Sequence, residues 1–206
     1  MSSYPIAFHD AGSASLDDPA ALARMGAIWQ DNVRQMAECT RHRGWDVDGP
    51  ERLAGLNEAA LDALETECGR PIPPQLRWAL GQAESWSFDW TCSNTDEPPG
   101  DLRSCYSGGI RGAVWNAQWL PLHQSMMDWV ELHVEGADDE EQSSRITAFW
   151  AAHFPFAYLP NGDQLTIDMR DADPKKQGVR YFSHEEDGLH GAVMSPDFFT
   201  FISGWT

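Results

Sequence analysis

Apolar residues Leu22, Met25, Trp29, Val33 and Met36 recur at helical spacing and predict a first helix, opened by Asp18-Pro19 and stopped by Gly44. RGWDVDGPE then reads as a polar connector. A second helix is capped by Asn57, carries Leu61, Leu64 and Cys68 on one face, and ends at Gly69 before Pro71, Pro73 and Pro74. Pro74 opens a third helix with Leu76 and Leu80 on its apolar side, so the two short helices form one hairpin-like unit joined by G-R-P-I-P-P. At SWSFDW the period changes to two: Trp86, Phe88 and Trp90 alternate with Ser85, Ser87 and Asp89, which predicts a half-buried strand. TCSNTDEPPGD is a loop by composition, and GGIRGAVW is a glycine-weakened strand.

WLPLHQSMMDWVELHVEG is expected to begin extended and turn helical, with Leu122, Met126, Trp129 or Val130, and His133 on one side. EGADDEEQSS is a solvated loop or a helix start, and RITAFW adds one or two helical turns. Phe154, Phe156 and Tyr158 then alternate up to Asn161-Gly162, and Leu165, Ile167 and Met169 alternate beyond it. Asn-Gly tolerates the positive φ of a type I′ turn, so this is a hairpin. Asp163 sits beside that turn, where it can accept local backbone N–H bonds. Asp168 falls with Gln164 and Thr166 on the polar side, facing solvent or a loop. VRYFS and LHGAVM give third and fourth strands, and Ser195-Pro196 caps and starts a last helix with Phe198 or Phe199 and Ile202 inward. Helices, then an antiparallel meander, then a helix define an α+β fold.

Charge changes the picture most. The 206 residues carry 14 basic and 32 acidic groups, a net charge of −18. Residues 1–111 hold 9 basic and 17 acidic groups and residues 112–206 hold 5 and 15, so the excess is spread along the chain. Such a field repels nucleic acid and anionic membrane and steers basic partners inward. Hydrophobic content of 42% with 11% aromatic residues argues against disorder. Of the 10 tryptophans, most belong in the core and one or two can serve as contacts. Cys39, Cys68, Cys92 and Cys105 form no CxxC pair, so neither a zinc cluster nor a dithiol site is expected. The N-terminal MSSYPIAFHDAGSAS lacks the layout of a signal peptide, and no apolar run approaches the roughly 18 residues of a membrane span. A cytoplasmic protein is expected. Two lysines beside twelve arginines fit a GC-rich bacterial genome.

The ordered segments LDALETECGRPIPPQLRWAL, WLPLHQSMMDWVEL, PFAYLPNGDQLTIDM and VRYFSHEEDGLHGAVMSPDFFTFISGW resemble the SUKH superfamily, the Smi/Knr-type cell-wall-assembly-regulator family and its bacterial relatives. Pro155-Phe156-Ala157, Gly162-Asp163 and Leu165-x-Ile167-Asp168 match the family's central hairpin. His184-Glu185-Glu186-Asp187-Gly188 matches its turn, and Ser195-x-x-Phe198-x-x-Phe201 its closing helix. The family often has an asparagine or aspartate with glycine where this chain has QAESWSFDW. The resemblance covers residues 53–206 and leaves 1–52 as an N-terminal helical extension. It implies a single SUKH-like domain acting as a non-enzymatic protein-binding module, with no catalytic residue, cofactor or metal to carry over. Bacterial members resemble immunity proteins that neutralise toxin domains, frequently nucleases; eukaryotic members resemble regulatory scaffolds.

The partner so implied is a basic toxin domain encoded nearby. Acids Asp138, Asp139, Glu140, Glu141, Asp163, Glu185, Glu186 and Asp187, with Asp89 and the aromatic anchors Trp86 and Trp90, make the candidate contact set. An intracellular regulatory scaffold is the alternative. A metal-dependent hydrolase would need His184 or His190 to converge with Asp163, Asp168, Glu185 or Glu186, and no HxH, HExxH or CxxC spacing supports it.

Overall fold

The structure, a computed structural model, describes residues 14–44, 46–91, 110–115, 119–135, 139–159, 162–184 and 190–205. Helix α1 spans Pro19–His42, with Asp18 accepting from Ala21 N at 2.9 Å. Strand β1 follows at Asp46–Arg52, then α2 at Glu58–Cys68 and α3 at Pro74–Gln82. Strands β2 (Trp86–Thr91) and β3 (Ile110–Trp115) come next, then α4 (Trp119–Val134) and α5 (Glu140–Ala151). The chain continues through β4 (His153–Tyr158), β5 (Gln164–Asp168), β6 (Val179–Phe182), β7 (Val193–Ser195) and α6 (Phe198–Trp205). This is the expected α+β order.

The strands form two antiparallel sheets, β1-β2-β3 and β4-β5-β6-β7. Segment RGWDVDGPE is therefore not a connector: most of it is β1, whose pairing with β2 shifts register between Asp48 and Glu51. Gly49 and Pro50, at that shift, made the segment read as a turn, yet a bulge accommodates both. Helix α4 is helical from Trp119 onward, because Pro121 lies in the first turn, where no intrahelical N–H bond is lost. The last helix is capped by Asp197, not Ser195: its carboxylate accepts from Thr200 N at 3.0 Å and Thr200 Oγ1 at 2.8 Å. The fourth strand is short, only Val193–Ser195.

One core lies between the four-stranded sheet and helices α1, α2, α3 and α6. Leu22, Met25, Trp29 and Val33 of α1 meet Leu61, Leu76 and Leu80, together with Phe154, Leu165, Ile167 and Val179 of the sheet and Phe198, Phe199 and Ile202 of α6. Trp29, Trp78 and Phe199 pack edge-to-face, with centroids 5.4 to 5.8 Å apart, and tie α1, α3 and α6 together. Between α2 and α3, Gly69 takes φ +64° at the helix end. Arg70 donates to the carbonyls of Ala151 (2.8 Å) and Ala152 (3.3 Å), fastening the end of α5 to the helical hairpin.

A second cluster, Met126 and Val130 of α4 with Trp150 of α5 and Phe182 of β6, occupies the opposite face of the sheet. Because α4 and α5 cover that face, Gln164, Thr166 and Asp168 are buried rather than turned to solvent or a loop, which corrects the strand-alternation expectation. Tyr158 is exposed instead of inward. The β4–β5 register shifts between Pro155 and Ala157, leaving Phe156 as an extra residue, so Tyr158 drops out of phase with Phe154.

Candidate functional site

Asp163 opens β5 from the turn that Gly162 makes at φ +97°, with Leu159 N bonded to Asp163 O at 2.8 Å; Asn161 lies outside the described residues. The residue is 1% exposed, and its carboxylate reaches partners distant in sequence. Oδ1 accepts from His184 N at 3.0 Å and lies 2.8 Å from His184 Nδ1, while Oδ2 accepts from the Tyr181 hydroxyl. Trp129 of α4 sets its ring against His184, centroids 5.4 Å apart. Beyond its place at the turn, Asp163 forms a buried node joining β5 and β6 and, through His184 and Trp129, α4. It fixes His184, the residue at which the acidic run 185–187 begins, and it takes Asp163 out of direct reach of a partner.

Asp168 is committed elsewhere. It accepts from Arg170 Nε (2.8 Å) and Nη2 (2.6 Å) and from Arg180 Nε (3.0 Å), with His153 Nε2 at 3.8 Å. Phe149 of α5 lies under both guanidiniums, 4.3 Å from Arg170 and 5.5 Å from Arg180. Burial alone would push the Asp168 carboxyl up; the hydrogen bonds from Arg170 and Arg180 and the neighbouring His153 outweigh it and hold the group far below the usual carboxylate range. Burial lowers the fully enclosed His153 to about 4, against the raising influence of Phe149 O and Asp168, so its ring is neutral at pH 7. Asp163 and Asp168 therefore serve separate networks.

The histidines of the hydrolase reading part in the same way. His184 is bound by Asp163, whereas His190 lies with Nδ1 2.9 Å from Ser183 O and its ring against Trp150 and Phe182. Among the described residues no three His, Cys, Asp or Glu side chains group closely enough to hold a metal ion. Cys39 and Cys68 are free thiols, and burial, followed by the charge of Glu67, pushes Cys68 up to about 11, so it stays protonated at neutral pH.

Of the expected contact residues, Asp139, Glu140 and Glu141 are exposed. Asp139 caps α5 by accepting from Glu141 N and Gln142 N, both at 3.0 Å. Trp86, Asp89 and Trp90 lie on β2, the middle strand of its sheet, where Asp89 is registered between Asp48 and Arg111. Asp138, Glu185, Glu186 and Asp187 lie outside the described residues. The sequence reading overlooked the outer side of α4, where a groove of about 430 Å³ runs past Pro121, Gln124, Ser125, Asp128, Trp129 and Leu132. The available signal was Leu132, a leucine out of phase with the inward stripe Trp119, Leu122, Met126 and Val130.

An α+β domain with helices over both faces of a four-stranded meander, a network-held turn and an acidic helical exterior has the form of a binding module. The chain belongs to the SMI1 / KNR4 family (SUKH-1), whose model matches residues 55–204. No curated protein and no solved structure matches it. Membership supports a non-enzymatic module of immunity or regulatory type, and among the described residues no helix is long and apolar enough to cross a membrane.

Proposed function

We infer that this protein is a bacterial immunity protein of the cytoplasm that binds and neutralises a basic toxin domain, of nuclease type, encoded beside it. The observation that carries the reading is the net charge of −18 on a member of this family. A nuclease holds phosphates with a basic surface, and an acidic protein of complementary shape occupies that surface with fast, salt-sensitive encounter. The exposed acids at the start of α5 belong to the contact set, as do Asp138 and the 185–187 run, with Trp86 and Trp90 as aromatic anchors and Asp89 beside them. No step in this function needs a metal or cofactor. The family match beginning at residue 55 supports treating residues 53–206 as the family domain and 1–52 as an extension, while the burial of Leu22, Met25, Trp29 and Val33 in the common core supports an extension that is stapled down.

The test is co-expression. Cells producing this protein should survive the toxin encoded beside it and succumb to unrelated toxins. Absence of protection against any neighbouring gene product would move the reading to an intracellular regulatory scaffold.

A further inference from the structure

Helix α4 has two opposed stripes. Trp119, Leu122, Met126 and Val130 face inward and are buried. On the other side Leu120 is 38% and Leu132 56% exposed, and the groove past Pro121, Trp129 and Leu132 is mainly apolar. Single exposed leucines are ordinary on a protein surface. Here Leu132 lies in the groove beside a half-buried tryptophan, Trp129, and that tryptophan leans on the His184–Asp163 node.

The charges on this side are of one sign. Asp128, Glu131 and Glu135 follow the outer side of α4 and its end, and Asp139, Glu140 and Glu141 continue them into α5. The sole Lys or Arg on α4 and α5 is Arg145, already 3.4 Å from Glu141. Gln124 Nε2 donates to Asp128 at 2.6 Å and holds that carboxylate at the groove. Among the described residues Asp128, Glu131, Glu135 and Glu140 form no ion pair and are exposed, free to meet a cation from a partner. A second copy of the same acidic face would be repelled, and so would nucleic acid. An open apolar groove with Asp128 in its lining, further exposed carboxylates beside it and, among the described residues of α4 and α5, no cation but Arg145 fit a protein surface on which lysines or arginines flank an exposed apolar residue.

We propose that the outer face of α4 is the docking face for the basic partner: its apolar residue seats beside Trp129 and Leu132 while its cations reach Asp128, Glu131 and Glu135. The proposal rests on the binding-module reading and assigns it a surface. The probe is the purified product of the adjoining gene, titrated calorimetrically against the intact protein and three double variants, each first shown to keep its melting temperature. Pro121→Ser with Leu132→Ser, and Asp128→Lys with Glu131→Lys, should each weaken binding at least about tenfold. Val193→Ser with Met194→Ser, which removes the exposed apolar pair on β7, should leave binding within about twofold, as expected of a site outside the interface. If the intact protein binds and both α4 variants bind equally well, the docking face is wrong and the binding function stands. If the intact protein does not bind, both readings fall.

Discussion

On one face of the β4–β7 sheet, Phe154, Leu165, Ile167 and Val179 meet the apolar sides of α1, α2, α3 and α6. On the other, His153, Thr166, Asp168 and Arg180 share a covered space with Phe149, Trp150 and Phe182 under α4 and α5. Both faces are buried, yet they are specified differently. The first needs apolar volume of about the right shape, which related side chains can supply. The second needs its buried charge, Asp168, to keep named partners, because an orphaned charge carries its full desolvation cost. The neutral Gln164 amide and His153 Nε2 on the same face have no hydrogen-bond partner among the described residues.

A matched pair of substitutions on adjacent residues separates the two cases. Asp168→Asn keeps the volume but leaves Arg170 and Arg180 without a carboxylate, and should lower stability by about 3 kcal/mol in urea unfolding. Ile167→Val removes a methylene from the apolar face and should cost about 1 kcal/mol. The reverse order would show that the polar face is not held by its ion pairs.

Acid gives the next largest effect. His153 titrates at its ordinary 6.5 when unfolded and at about 4 when folded, so the unfolded state binds the extra proton as pH falls through that window. Stability should drop between pH 6.5 and 4, by about 2 kcal/mol at pH 5 from this group alone. The lowered carboxyl of Asp168 adds a second loss, starting only below its ordinary 3.8. In His153→Gln the first loss should vanish and the second persist, as read from melting temperatures across pH.

Much of the apolar face was legible in the sequence. Leu22, Met25, Trp29 and Val33 of the α1 stripe, the Leu61 and Leu76–Leu80 faces and the Leu165–Ile167 alternation reached the core, because spacing alone reports which residues share a side; the side chain of Met36 lies outside the described residues. The polar face was not legible in the same way. Alternation correctly separates Asp168 from Ile167, but whether the second side meets water depends on α4 and α5 folding over it, which is tertiary information. The Asp163–Tyr181–His184 node spans 18 and 21 residues and leaves no periodic trace. The groove on α4 was hidden for a related reason: a helix with one clear inward stripe gives no reason to examine its outer leucines.

Smaller changes sharpen the contrast further. Gly162→Val should cost more than about 1 kcal/mol, since residue 162 sits at φ +97° and a Cβ there would come within 3.0 Å of the His184 ring. An unchanged melting temperature would detach the turn from the His184 node. Gln164 is buried and, among the described residues, neither of its amide atoms is hydrogen-bonded, so Gln164→Leu should be neutral or stabilise by up to about 1 kcal/mol. A clear loss would show that this amide has a partner after all.

The claim that an acidic exterior docks a basic protein is tested most directly by the association rate. Stopped-flow mixing with the basic product of the adjoining gene, across a salt series, should show the rate falling steeply as salt rises. Replacing Asp138, Asp139, Glu140 and Glu141 together with serine or asparagine should lower the low-salt rate and flatten that slope while the fold stays intact. An association rate indifferent to both salt and the fourfold replacement would contradict the account.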